Sequence, residues 1–499
     1  MNWSTIFMNV FNPLSLVCMC IGVVMGTIFG CIPGLSTPIA LALVLPMIFK
    51  MDTSLAICLM MGIYCGGVSG GLVSAIMLKI PGSSAAVATT FDGYPMAQKG
   101  EGAKAMSIGV FASFVGGTFS SLMLMIFATT LAKLALGFGP WEYFGTALMA
   151  LILATFLMKG DPLKGMITML IGVLMTTVGL SPIDGVATRF SFGNISLKNG
   201  FDMVALVIGV FAMPEIVKNA GSILKLKPEI KLEKKRFYTL PLKDIKELAG
   251  TLIRGSILGT IVGILPGLGG GPACLMGYAM EKRFSKNPDS FGTGNPHGIA
   301  APESANNATV GGALIPMLAL GVPGDTNTSI ILGAFTLLGI STGPIMLQNN
   351  PEVFRTTILA VFVANFVMFA LQSVSIPWLV KMLSVPNTYL LPIITVFCVT
   401  GCISLNNNVF EVYYMLVLVF IGYLFENNGY PVAPLIIGFV LGGIIETNLR
   451  RSITYYGSFQ SCLTRVSIGT LFFWISIIAP VIFIAMKIWK NNYRRGKSE

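Results

Sequence analysis

Residues 259–324 read GTIVGILPGLGGGPACLMGYAMEKRFSKNPDSFGTGNPHGIAAPESANNATVGGALIPMLALGVPG. The stretch is apolar enough for a membrane, yet Gly, Pro, Asn and small polar residues interrupt it throughout. A lipid-facing helix does not carry that load, because backbone groups freed at membrane depth must be satisfied by protein or by a water-filled cavity. Broken helices of this kind are where transporters hold ions and substrate. A weaker echo lies upstream, in GTIFGCIPGL at 26–35 and GGLVSAIMLKIPGSS at 70–84.

The whole chain agrees with a membrane setting. Its 499 residues are 54% hydrophobic and 11% charged, with a mean hydropathy of +0.80, against about 25% charged residues in a soluble domain. The fold class expected is an all-α polytopic membrane protein of about 10–12 transmembrane helices with broken or re-entrant segments. The net charge of +11 gathers in loops, chiefly 218–246 and the tail beyond Lys487. The positive-inside rule puts both in the cytoplasm, and no nucleic-acid motif accompanies them. Nine cysteines sit mostly in apolar runs without zinc or redox spacing and read as buried small hydrophobes.

The two halves repeat. GTIFGCIPGL matches GTIVGILPGL at seven of ten positions, 233 residues on. Downstream, Gly70-Gly71 to Pro81-Gly82 answers Gly311-Gly312 to Pro323-Gly324. The division expected is a first membrane repeat over 1–217, a basic cytoplasmic loop over 218–247, a second repeat over 248–490 and a cytoplasmic tail over 491–499. The second copy leaves a cytoplasmic loop and so starts outward. The first starts from an uncharged N-terminus, and an inward first span would make the repeats inverted.

Candidate site residues follow from the breaks. Pro cannot continue a helix and Gly tolerates the positive φ of a reversal, so the helix after each PG directs free N–H groups and a positive dipole end inward, which suits a carboxylate. Candidate substrate positions are Pro33, Gly34, Ser36, Pro81, Gly82, Ser83, Ser84, Gly267, Asn306, Asn307, Pro323, Gly324, Asp325, Thr326 and Asn327. In APESANNAT (301–309) Glu303 is an acid in an uncharged run, a functional candidate at membrane depth. Asn306 and Asn307 offer amide oxygens, and unwound carbonyls nearby would complete a cation shell. The plain alternative for Glu303 is a structural anchor at a re-entrant tip. Asp92 in TTFDGYP is either a turn residue or a cation ligand. His297, the one histidine, reads as a loop residue. Glu446 and Arg450 are spaced to pair as an interfacial anchor. There is no HExxH, GxSxG or P-loop pattern, so neither enzyme chemistry nor ATP hydrolysis is expected.

These motifs resemble a known family. YCGGVSGGLVSAIMLKIPG with TTFDGYPMAQKG, VIGVFAMPEI, GTIVGILPGL, GIAAPESANNATVGGALIPMLALGVPG and LGGIIETNLRRS are similar to the large membrane subunit of bacterial tripartite tricarboxylate transporters, over nearly the whole length. The resemblance implies a secondary-active, binding-protein-dependent importer of di- and tricarboxylates in the inner membrane. It implies a small four-span membrane subunit and a periplasmic solute-binding protein as partners. It implies no cofactor, and a coupling cation, Na⁺ with H⁺ as the alternative. A stand-alone carboxylate carrier or a channel is the competing expectation. The chain departs from the family's usual spelling at two places. Asp325 follows the second PG where a small neutral residue is more usual, and Ser83-Ser84 follow the first in place of a Thr-Pro-type pair.

Overall fold

The computed structural model describes residues 3–157, 161–181, 187–220, 239–383, 387–406 and 408–495. Most of the basic loop expected at 218–247 and the last residues of the tail lie outside the described residues. Among the described residues, the helices that carry the structure are α1 (Pro13–Cys31), α2 (Thr37–Ile48), α3 (Thr53–Leu78), α4 (Thr89–Met96), α5 (Gly102–Ala135), α6 (Pro140–Leu157), α7 (Pro162–Met175), α8 (Leu242–Ile264), α9 (Gly270–Phe284), α10 (His297–Leu320), α11 (Thr326–Leu337), α12 (Pro351–Met382), α13 (Phe410–Asn427), α14 (Ala433–Tyr456) and α15 (Ile468–Arg495). A hairpin of two residues a side, β1 (Gly179–Leu180) and β2 (Thr188–Arg189), is the sheet present. Eight described helices are long and apolar enough to cross a membrane, and five shorter apolar ones accompany them. The all-α polytopic membrane class stands.

Two compact units form. One joins Met1–Lys133 with Asp202–Asn428, and the other joins Leu134–Phe201 with Gly429–Glu499. The larger unit is built around two helices with no exposed face. In α3 every residue from Ala56 to Met77 is buried, and in α10 every residue from Gly298 to Ala319. A helix apolar all round is a core helix. Lipid-facing surface lies elsewhere, as in Ile253, Ile257 and Ile261, a helical stripe on α8, all roughly half exposed.

The sequence repeat is a structural repeat. Each copy runs helix, PG break, short helix, long buried helix, second PG break, then a helix again: α1-α2-α3-α4 and α8-α9-α10-α11. The helix ends have the same local causes. After α1, Ile32 turns extended and Gly34 takes φ +87°; after α8, Leu265 turns extended and Gly267 takes φ +88°. The packing also matches contact by contact. Gly22, Gly26 and Gly30 of α1 lie against the carbonyls of Leu59, Ile63 and Gly67 of α3. Gly255, Gly259 and Gly263 of α8 lie against residues Ala301, Ala305 and Thr309 of α10. The shift is constant, 233 on the first helix of each pair (Gly22 to Gly255) and 242 on the second (Leu59 to Ala301). Small residues at i and i+4 let two backbones touch, the usual basis of helix association in lipid.

A Cβ on Gly259 would overlap the Ala305 carbonyl, which is backbone and cannot step aside. Gly259→Val is therefore expected to cost about 3 kcal/mol or more, the upper end for overpacking. Thermal melting of the purified chain in detergent checks it, with a normal melting point as the contrary result.

The smaller unit pairs α7 with α14 and α6 with α15. Gly172 abuts the Leu435 carbonyl and Gly145 abuts Gly469. Trp141 is fully buried, stacks on Phe144 at 5.1 Å and donates its indole N–H to Thr470 Oγ1 at 3.0 Å. The expected Glu446–Arg450 pair forms at 2.9 Å, and Arg189 of β2 joins it at 2.5 Å. These pairs tie the hairpin to α14.

Three expectations need correction. The stretch 297–320 is one continuous helix, so APESANNAT is not unwound; the breaks are confined to 265–269 and 321–325. Pro302 and Pro316 remove their own N–H bonds, yet the helix continues through both. Asp92 is not in a turn: TTFDGYPM is α4. His297 does not sit in a loop but opens α10.

Candidate functional site

All the site residues expected from sequence belong to the larger unit. The second break is held by one bond across its two arms, Gly267 N–H to the Gly324 carbonyl at 2.8 Å. Gly324 packs on Ala313 and on the Gly263 carbonyl, as Gly82 packs on Gly71 and the Gly30 carbonyl in the first copy. α3 and α10 end at left-handed caps, Lys79 (φ +59°) and Gly321 (φ +74°), and Pro81 and Pro323 follow two residues later, just before these glycines.

The second break, α10 and the first PG loop meet at the start of α9. The Cβ position of Gly269 is 3.2 Å from Asp325 Cβ, that of Gly270 falls on Asn306 Oδ1, and that of Gly271 is 3.4 Å from Ser84 Oγ. Gly269 is the cap residue of α9 and provides no side-chain cap. Ser36, the cap residue of α2 behind Pro33-Gly34, makes no cap bond either. Asp325 does cap α11. Its Oδ1 accepts from Thr328 N at 2.8 Å, while Oδ2 accepts from Tyr64 Oη at 2.9 Å and Asn327 Nδ2 at 3.0 Å. Thr328 returns the bond to Asp325 N at 2.9 Å, completing a capping box. Thr326, the first residue of α11, is half-buried.

Three polar atoms in this region are buried without a hydrogen-bond partner among the described residues: Ser83 Oγ, Asn306 Oδ1 and Asn327 Oδ1. Both amides are oriented by their other end. Asn306 Nδ2 donates to the Val68 carbonyl at 3.2 Å and Asn327 Nδ2 donates to Asp325. The two orphan oxygens are therefore acceptors. Buried polar groups normally find partners, so an orphan amide oxygen aimed at an uncapped helix start, that of Asn306 at Gly270, marks a place built for a guest.

Glu303 stands one turn before Asn306 and Asn307 on α10 and is fully buried. Thr89 Oγ1 of α4 donates to its Oε1 at 2.5 Å and Ser113 Oγ of α5 to its Oε2 at 3.3 Å. Asn307 Nδ2 donates to Ser113 Oγ at 2.8 Å and to the Glu303 carbonyl at 3.1 Å. The acid of the second copy is thus held by hydroxyls reached through the first.

Asp92 is a clasp. Its Oδ1 accepts from the backbone N–H groups of Gly292 (2.9 Å), Gly294 (2.8 Å) and Asn295 (2.7 Å), and its Oδ2 accepts from Tyr278 Oη at 2.9 Å. It pins α4 to the connection between α9 and α10. Beside that connection lies an open cleft of about 540 Å³, lined by Lys99, Glu247, Glu281, Lys286 and His297 among others. His297 Nδ1 is 2.7 Å from Thr251 Oγ1, and Glu281 is paired with Arg254 at 2.6 Å.

Tyr64, Thr89, Ser113 and Gly270 were not singled out from sequence. Tyr64 carried a signal: it is the one side chain in α3 with both a ring and a hydroxyl, and the PG-to-PG alignment places it opposite Asn306.

The profile of the tripartite tricarboxylate transporter TctA family matches residues 16–437. The chain belongs to that family. A TctA-family reading agrees with the place of the breaks, which fall inside the matched region. An uncharacterized 52.8 kDa protein of the TAR-I ttuC' 3' region of Agrobacterium vitis is 37% identical over 452 residues, 91% of this chain and 89% of the relative. A second uncharacterized protein of that organism, of the TAR-II ttuC' 3' region, is 42% identical over 195 residues, 39% of this chain and 81% of the relative. No solved structure matches the chain. As a TctA-family member the chain is a multi-pass membrane transporter component.

Proposed function

We propose that this chain is the large membrane subunit of a binding-protein-dependent secondary transporter that imports di- and tricarboxylates across the bacterial inner membrane, with Na⁺ as the coupling cation. The observation that carries the proposal is the convergence of Asn306, Ser84 and Asp325 on the α9 start, with the orphan Asn306 Oδ1 aimed at it. Uncapped N–H groups take a carboxylate, and neutral oxygens such as Asn306 Oδ1 suit a hard cation. Glu303 is the buried acid through which a cation or proton is coupled. Pro33, Gly34 and Ser36 supply the equivalent helix start in the first copy. A periplasmic solute-binding protein delivers substrate, and a small four-span membrane subunit completes the assembly.

Charge sets the direction. Lys104 pairs with Asp244 at 3.7 Å, and Lys99 donates to the Thr293 carbonyl at 2.6 Å. These bring the starts of α5, α8 and α10 to one basic end, which the positive-inside rule assigns to the cytoplasm together with the C-terminus. The 540 Å³ cleft is then the cytoplasmic mouth, and the two copies are inverted. Importing an anion against an inside-negative potential costs about 2.3 kcal/mol per charge per 100 mV. A dianion therefore needs about two accompanying cations for electrical balance alone. Movement of the two PG-bearing hairpins relative to the rest of the transporter carries the substrate.

The test is uptake into proteoliposomes that hold the chain and its small partner, with the binding protein and labelled succinate outside. Accumulation that requires both an inward Na⁺ gradient and the binding protein is expected. Accumulation indifferent to Na⁺ would shift the coupling to protons. Equilibration without accumulation would mean a channel, and no movement of any carboxylate would remove the substrate class.

A further inference from the structure

The repeat allows the two halves of the site to be compared atom for atom. The shift of 242 that superposes α3 on α10 pairs Tyr64 with Asn306 and Ser83 with Asp325. Tyr64 and Asp325 are bonded to each other, and the equivalent pair, Asn306 and Ser83, is not. In the closed half, Tyr64 Oη donates to the Asp325 carboxylate at 2.9 Å. In the open half, Asn306 Oδ1 and Ser83 Oγ are both buried and have no partner among the described residues. Asn306 is fully buried and its Oδ1 is aimed at Gly270, at the uncapped start of α9.

Asp325 therefore occupies the position of a guest. Its carboxylate lies on the N-terminus of α11, where the dipole and the free N–H groups favour an anion. It takes Thr328 N–H on one oxygen and Tyr64 and Asn327 on the other, so three protein donors already serve it. No Lys or Arg is present in α3, in 83–88, in α10 or in α11. A further carboxylate brought to this end would meet a fixed like charge with no cationic side chain in those elements to offset it.

We propose that Asp325 is a built-in anion filling one of two carboxylate subsites, so that the transporter accepts dicarboxylates in preference to tricarboxylates. Tyr64 is the positioning residue that holds it there. The open subsite, made by Ser83, Ser84, Asn306 and the start of α9, takes one carboxylate of the substrate. This rests on the carboxylate-transport function proposed above and names the selectivity of that site. Juxtaposed like charges are among the stronger means of rejecting a ligand.

The experiment uses the full chain in lipid nanodiscs and isothermal titration with succinate and with tricarballylate in Na⁺ buffer. These probes differ in carboxylate number and share a saturated carbon chain. The wild type is expected to bind succinate at least about tenfold more tightly. Asp325→Ser, which gives the second loop the residue of the first, is expected to shrink that ratio by about tenfold or more. Asp325→Asn keeps a good helix cap without the charge and is expected to act in the same direction, which guards against a folding defect. Tyr64→Phe is expected to lower the ratio by a smaller factor, and to have no further effect in the Asp325→Ser background. A residue that merely capped α11 would change melting temperature and leave the ratio alone. An unchanged ratio in Asp325→Ser and Asp325→Asn, with succinate still bound, overturns the inference and leaves carboxylate transport intact. A folded wild-type chain that binds neither probe removes carboxylate transport and this inference with it.

Discussion

Asp92→Ala is expected to lower the folding stability of the larger unit by about 3–5 kcal/mol, since hydrogen bonds to a charged group contribute about 1.5–3 kcal/mol each and orphaned buried donors add a penalty. The carboxylate is fully buried and serves three backbone N–H groups and the Tyr278 hydroxyl. Alanine leaves all four donors facing a void. The backbone at 292–295 carries Gly292 and Gly294 at φ +92° and +101°, a conformation with little intrinsic preference for order once its acceptor is gone. A Cβ at Gly298 would collide with the same carboxylate, so the two segments are fitted closely around it. Asp92→Asn retains one acceptor oxygen and is expected to lose about half as much. Chemical or thermal denaturation of the purified chain measures both. Stability within 1 kcal/mol of wild type for Asp92→Ala would contradict the clasp.

Glu303→Gln is expected to leave the fold in place and to reduce gradient-driven uptake by about 100-fold, a loss of about 2.7 kcal/mol in the transport barrier. Glutamine is nearly isosteric. Its oxygen can accept from Thr89 and its amide can donate to Ser113, the two groups that hold Glu303 in the wild type. What it removes is the capacity to ionise or carry a proton in the second turn of a fully buried helix. If that carboxyl couples a cation or proton to the substrate, the variant loses accumulation more than it loses substrate binding. Uptake with and without a Na⁺ gradient, together with succinate titration, separates the two. Full accumulation by Glu303→Gln would make the residue a structural anchor between the copies.

Much of the fold was readable because the bilayer imposes strong rules. Long apolar runs with few charges gave the all-α polytopic membrane class, and the matched GTI-G-PGL segments gave the repeat. The site was readable as far as its breaks, because Pro-Gly pairs have a fixed local consequence. Other features depended on partners distant in sequence. The APESANNAT stretch carries helix-unfriendly residues, yet it is helical because α8, α3 and α5 surround it and supply Ser113 and Val68 as partners for its amides. DGYP carries turn residues, yet Asp92 is helical because its acceptors are spent on a segment about 200 residues away. No local pattern shows that Tyr64 reaches Asp325; only the superposed repeats reveal that this contact has an open counterpart.

The transport site is tested most directly by the reactivity of a cysteine at Ser84→Cys, an exposed position facing the start of α9. The rate of modification by a small, charged thiol reagent is measured in nanodiscs with and without saturating succinate and Na⁺, against Lys198→Cys in the smaller unit as a control. Slowing of about tenfold or more at position 84, with no change at position 198, is expected if the two breaks enclose the substrate. Equal rates at position 84 under both conditions, in a chain that still transports succinate, would place the substrate elsewhere.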